Sequence, residues 1–204
     1  MSQDSLKPLS KTLPTKFFSG RKGRVSLPYF DSVYKRPGSD NSFDREIEIQ
    51  FFRAIEGGEN EKARNLITKN RSLTRATNKE VYYRYDPELE ISAYRFLGAY
   101  IGPVTGVQLA LLLGNDKLAI DLIDASFEQD LEVTFGNGNT SLHLAAFLEA
   151  VDVVKALLVR DVNTMRKNRK NLTSSDVTSN LEILNLLRVA TVKRQQELLG
   201  KSLS

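Results

Sequence analysis

Three threonines set the frame of this chain: Thr105, Thr140 and Thr173 stand 35 and then 33 residues apart. After each comes a short helical pattern, then a second one carrying adjacent aliphatics, at Leu122-Ile123, Leu157-Leu158 and Leu186-Leu187. The same pair, Leu66-Ile67, ends an earlier helical run that opens at Asn60. That run follows the turn signal Gly57-Gly58 and a first run with Ile47, Ile49, Phe51, Phe52 and Ile55, so it too belongs to a helical hairpin. A two-helix unit recurring about every 33 residues cannot bury its apolar face alone. It must stack on its neighbours, and the chain is therefore expected to form an array.

The clearest unit, residues 138–163, has the sequence GNTSLHLAAFLEAVDVVKALLVRDVN. It closely resembles the ankyrin repeat, whose pattern runs G-x-T-P-L-H-x-A-A, then V-V-x-x-L-L, then D-V-N. Gly138, Thr140, Leu142, His143, Ala145 and Ala146 match the first part; Val153, Val154, Leu157, Leu158, Asp161, Val162 and Asn163 match the rest. The resemblance implies an all-α solenoid of about four repeats, near 42–69, 103–131, 138–163 and 171–188, closed by a capping helix near 181–199. It also implies structural roles for Thr105, Thr140 and Thr173 as caps at helix starts, with His143 bonding across to the next repeat's turn. Ala145-Ala146 would let helices approach closely. The flanking copies are weaker. Residues 103–123 keep Thr105, Val107, Leu109 and Ala110, whereas 172–187 keep Thr173, Ser174 and Val177 but start the second helix three residues early. Glu149-Ala150 stands where the family usually turns on glycine.

Ile67 and Thr105 lie 38 residues apart, where a regular array needs about 15. The surplus falls at about 70–101, which holds five of the seven tyrosines: Tyr82, Tyr83, Tyr85, Tyr94 and Tyr100. Insertions in such arrays map to one face, often the binding face, and Tyr and Arg are favoured interface anchors. Leu89, Ala93, Phe96, Leu97 and Tyr100 share a helical spacing, which predicts that 89–100 packs over the repeats. For Tyr82, Tyr83 and Tyr85, packing and recognition are equally open.

Residues 1–40 differ from the rest. They carry eight Lys and Arg against three Asp, while the remaining residues carry 21 basic and 22 acidic groups. Four of the six prolines also lie here, and no period is sustained, so the composition predicts a disordered basic arm, docked at most locally. Arg21, Lys22 and Arg24 precede Ser26, and Arg36 precedes Ser39; both serines are candidate phosphorylation sites for a basophilic kinase. The arm's charge also raises an alternative function, binding of nucleic acid or an anionic surface. The lack of a known nucleic-acid fold weighs against it. A mitochondrial presequence is countered by Pro8 and Pro14, which interrupt the amphipathic helix it needs.

Chemistry is poorly provided for. There is no cysteine, and His143 is the single histidine, so thiolate catalysis and multi-histidine metal sites have no ligands. Gly136-Asn137-Gly138 follows the alternation Leu131, Val133, Phe135 and predicts a hairpin tip, not a phosphate loop. The longest apolar run, Leu109 to Leu113, cannot span a bilayer. The expectation is a non-catalytic adaptor, scaffold or regulatory subunit of the cytoplasm or nucleus, monomeric by itself. No cofactor, metal or small-molecule substrate is expected. Its partner would be another protein, met by the hairpin tips, the concave helix face and the insertion. Candidate contacts are Tyr82, Tyr83, Tyr85, Thr134, Phe135, Asn137, Met165, Arg166, Lys167 and Arg169.

Overall fold

The structure is a computed structural model that describes residues 25–26, 42–79 and 83–201. Tyr82, Ser39 and the arm other than residues 25–26 lie outside the described residues. In chain order the elements are β1 (Val25–Ser26), α1 (Ser42–Gly57), α2 (Asn60–Lys69), β2 (Thr77–Asn78), β3 (Arg84–Tyr85) and α3 (Pro87–Phe96). Then follow β4 (Val104–Thr105), α4 (Gly106–Leu112), α5 (Asp116–Ala125), α6 (Glu128–Leu131), α7 (Ser141–Phe147), α8 (Val151–Val159) and α9 (Leu181–Lys201). Single 3-10 turns span Arg71–Thr74 and Ser174–Val177.

The helices pair as α1/α2, α4/α5, α7/α8 and the Ser174–Val177 turn with α9. First members pack side by side in one layer, α1 on α4 on α7 on the 3-10 turn; second members form the other, α2 on α5 on α8 on α9. Between the layers lies one continuous apolar core that includes Phe51, Ile55, Leu109, Leu118, Leu122, Leu142, Val154, Leu157, Ile183 and Leu187. The fourth pair is degraded for a readable reason. Residues 172–177 lack the Leu and the Ala pair that let α7 pack as a full helix, so only one tight turn forms. The body is all-α, with two small ribbons added: β1 pairs antiparallel with β3 (Val25 opposite Tyr85), and β2 with β4 (Thr77 opposite Thr105).

The second and third repeats are each tied to the next by the side chain three residues after the threonine. In the second pair, Gln108 Oε1 accepts from Thr105 N at 2.9 Å while its Nε2 donates to the Val133 carbonyl at 2.7 Å. In the third, His143 Nδ1 lies 3.3 Å from Thr140 N and 2.8 Å from its hydroxyl, and Nε2 lies 3.0 Å from the Leu172 carbonyl. A carbonyl only accepts, so the proton sits on Nε2 and Nδ1 is the acceptor. The imidazole thus does the work of the Gln108 amide. In the fourth, Asp176 Oδ2 accepts from Thr173 N and its hydroxyl, each at 2.7 Å. A carboxylate has nothing to donate onward, and no further repeat follows among the described residues.

The insertion packs on the first-helix layer. Tyr83 Oη donates to Glu56 Oε1 of α1 at 2.7 Å and accepts from Asn78 Nδ2 at 2.9 Å. Tyr85 lies edge-on to Phe147 of α7, with ring centroids 6.5 Å apart, and Phe96 of α3 packs on the same ring at 6.4 Å. Burial raises the Tyr85 phenol above its usual range, and its hydroxyl has no hydrogen-bond partner among the described residues. Burial also raises Glu56, against the pull of the Tyr83 hydroxyl and Arg53.

Two outcomes follow from these contacts. Burial, foremost, lowers the pKa of His143 from 6.5. The unfolded chain therefore takes up this proton first, and stability present above about pH 6.5 is lost as pH falls toward the folded-state pKa, with a slope of at most about 1.4 kcal/mol per unit. His143→Gln, which copies the preceding repeat, is expected to stay folded and to remove this slope in urea denaturation between pH 5 and 7. Tyr83→Phe is expected to cost about 1–3 kcal/mol, because the partly buried Glu56 carboxylate loses a donor. Tyr85→Phe, which deletes only an unpartnered hydroxyl, should be neutral or stabilising in the same assay.

Candidate functional site

The repeat tips project where a repeat's ladder of helices gives way to turns. The tip at 135–139 closes by paired backbone bonds between Phe135 and Asn139, at 2.9 and 3.0 Å. Gly136 turns it with φ of 50°, and a Cβ there would come within 2.3 Å of the Tyr100 carbonyl oxygen, so only glycine fits. The tip at 163–172 winds around Asn168. Its Oδ1 accepts from Lys170 N at 2.9 Å and Leu172 N at 3.1 Å, while Nδ2 donates to Phe96 O at 3.0 Å and Asn139 Oδ1 at 2.9 Å. Four bonds exhaust what a side-chain amide can make. Asn139 Nδ2 in turn donates to Leu97 O at 2.9 Å, and Arg169 N to Asn137 O at 2.9 Å. Two buried asparagines thereby lock both tips onto the C-terminal end of α3.

This lock presents a cationic surface. Lys170 Nζ sits 5.0 Å from the centroid of Tyr94, and the Arg95 guanidinium 5.1 Å from that of Phe96. Lys167 and Arg169 are exposed beside them. Arg166 is spoken for: Nη1 reaches both the Glu132 carbonyl and its carboxylate at 3.1 Å. Among the described residues, Arg95, Lys167, Arg169 and Lys170 form no salt bridge, whereas Arg166 pairs with Glu132.

The candidate contacts separate by burial. Thr134, Met165, Lys167 and Arg169 are exposed, and Asn137 and Arg166 are half-buried. Phe135, Tyr83 and Tyr85 are only 3%, 4% and 5% exposed, which corrects their assignment as partner contacts. Phe135 closes its own tip from inside, and the two tyrosines hold the insertion to α1 and α7. The pattern Tyr83-Arg84-Tyr85, inward-outward-inward, is that of a half-buried strand and could have been read so. The tyrosines that do face solvent are Tyr94 and Tyr100, at 64% and 59% exposure, on the stretch expected to pack. The first-helix layer is covered in part by this same insertion. Tyr94 and Arg95 are the surface residues that sequence reasoning missed; the basic turn 165–170 reads as a tip, but nothing in the sequence signals that Lys170 meets Tyr94, far earlier in the chain.

Among the described residues no helix is long and apolar enough to cross a membrane. The family described as "Ankyrin repeat" matches residues 137–169. No curated protein matches the chain. Among solved structures, the crystal structure of the Osh1 ANK domain from Kluyveromyces lactis is similar, at 18% identity and a TM-score of 0.49. The likeness covers 82% of this chain and 61% of that one, so the chain spans less than two thirds of that domain. The unit at 137–169 thus matches an ankyrin repeat, and it stands in an array of like helix pairs.

Proposed function

We propose that the chain is a non-catalytic protein-interaction module, an adaptor or regulatory subunit that holds a partner protein against its repeat tips. Ankyrin repeats serve protein–protein interaction in general. The observation that carries the reading here is the rigid, cation-bearing surface that the tips and α3 build together around Asn168. Its side chains project from a backbone already fixed, so a partner meets them at little ordering cost. The contacts are the exposed Thr134, Met165, Lys167 and Arg169 and the half-buried Asn137, joined by Tyr94, Arg95 and Lys170. Tyr82 stays in the proposal on its place in the insertion alone. Action in the cytoplasm or nucleus, and a monomeric state without a partner, belong to the same reading. The alternative, an anionic ligand held by the basic arm, rests on the charge of residues 1–40.

In-cell crosslinking followed by capture separates the two. Wild-type chain, a tip variant (Lys167→Ser, Arg169→Ser, Lys170→Ser) and an arm variant (Arg21→Ser, Lys22→Ser, Arg24→Ser) are compared. The tip variant is expected to lose at least tenfold of its crosslinked proteins while the arm variant keeps them. Loss confined to the arm variant, or recovery of nucleic acid in place of protein, would sink the reading.

A further inference from the structure

Between α3 and the ends of α7 and the Ser174–Val177 turn lies a cleft of about 330 Å³. Leu89, Phe96, Phe147, Leu148 and Val177 give it an apolar lining, and Glu149 is the one charged group in that lining. Phe96 belongs to two features at once: its ring lines the cleft, and it carries the Arg95 guanidinium 5.1 Å from its centroid. The cleft is therefore continuous with the cationic surface of Arg95, Lys167, Arg169 and Lys170; among the described residues none of the four forms a salt bridge, and Lys167 alone feels a carboxylate, that of Asp176.

Resting on the protein-binding reading above, we infer that this cleft and its cationic rim receive an acidic peptide segment of the partner carrying one bulky apolar side chain. Charge complementarity selects the acid, since four cations that form no salt bridge among the described residues, only Lys167 near a carboxylate, disfavour a basic ligand on this rigid surface. The same logic sets the register. Glu149 repels an acid from the cleft itself, so the apolar side chain enters there and the carboxylates lie across the rim. A nucleic acid fits less well. Bases stack on free aromatic faces, but Lys170 already lies over Tyr94, and Phe96 is taken by Arg95 and by Phe147 at 6.4 Å.

The test uses the full chain and four fluorescein-labelled probes read by anisotropy. These are a twelve-residue peptide of Asp, Glu and Ser with a single central Phe, the same peptide with Phe→Ser, its Lys-for-acid counterpart, and a twelve-nucleotide single-stranded DNA. The Phe-bearing acidic peptide is expected to bind, to weaken at least tenfold without its Phe, and to weaken several-fold between 50 and 200 mM salt. Ser92→Trp, an exposed lining position that fills the cleft and leaves the rim intact, and Arg95→Gln with Lys170→Gln, which keep the cleft and discharge the rim, should each cost about tenfold. Circular dichroism checks that both variants fold. Equal binding of the peptide with and without Phe, indifference to both variants, or tighter binding of the DNA would overturn the inference. Tip-dependent capture of proteins in cells with none of the peptides bound would overturn it while leaving the protein-binding reading in place.

Discussion

In the second and third repeats, a side chain three residues after the threonine bonds backward to that threonine and forward to the next repeat's turn, and these joints make the chain an array and not a string of separate hairpins. The forward bond gives the buried side-chain donor its acceptor, the carbonyl of Val133 for Gln108 and of Leu172 for His143. Leaving such a group unsatisfied costs on the order of 1–3 kcal/mol. The joint therefore fixes how far and at what angle one repeat sits from the next. An amide and an imidazole both fill it because each offers one acceptor and one donor at the right reach. Identity at this position matters less than having both ends of that bifunctional group.

The turn between the two helices of each repeat is fixed by a different constraint. Gly58 and Gly114 take φ of 71° and 72° there, and Glu149 takes 56° in the equivalent place. A non-glycine residue pays for that conformation on the order of 1 kcal/mol. The repeat with the best match to its family thus carries a locally strained corner, and that corner places a carboxylate in the lining of the α3 cleft. Strain and electrostatics meet in one residue.

The array was legible in the sequence because its determinants are close together along the chain. Thr140 and His143 are three residues apart, and the paired aliphatics recur at a countable interval. The insertion was legible as a surplus of residues, and its helix from the spacing of Leu89, Ala93, Phe96 and Leu97. What it touches was not. Asn168 finds its acceptor 72 residues earlier, at Phe96, and Asn139 finds Leu97 42 residues earlier. Neither asparagine stands out by type or spacing. Burial of Tyr83 and Tyr85 depended on the same unseen docking. Tyrosine serves a surface and a core equally well, and only the fold decides which side it faces.

An array whose units touch only their neighbours loses structure progressively from an end, each repeat leaving in turn. Here a segment from between the first and second repeats is bolted to the third and fourth through Asn139 and Asn168. That bolt shortcuts the linear order: the last repeats cannot peel away without also freeing α3, and α3 cannot lift without exposing the tips. Melting should then be a single concerted event across the body, with amide exchange in α7 and α3 governed by the same global opening. Folding bears the matching cost, since the bolt can close only after a long stretch of chain has been drawn together.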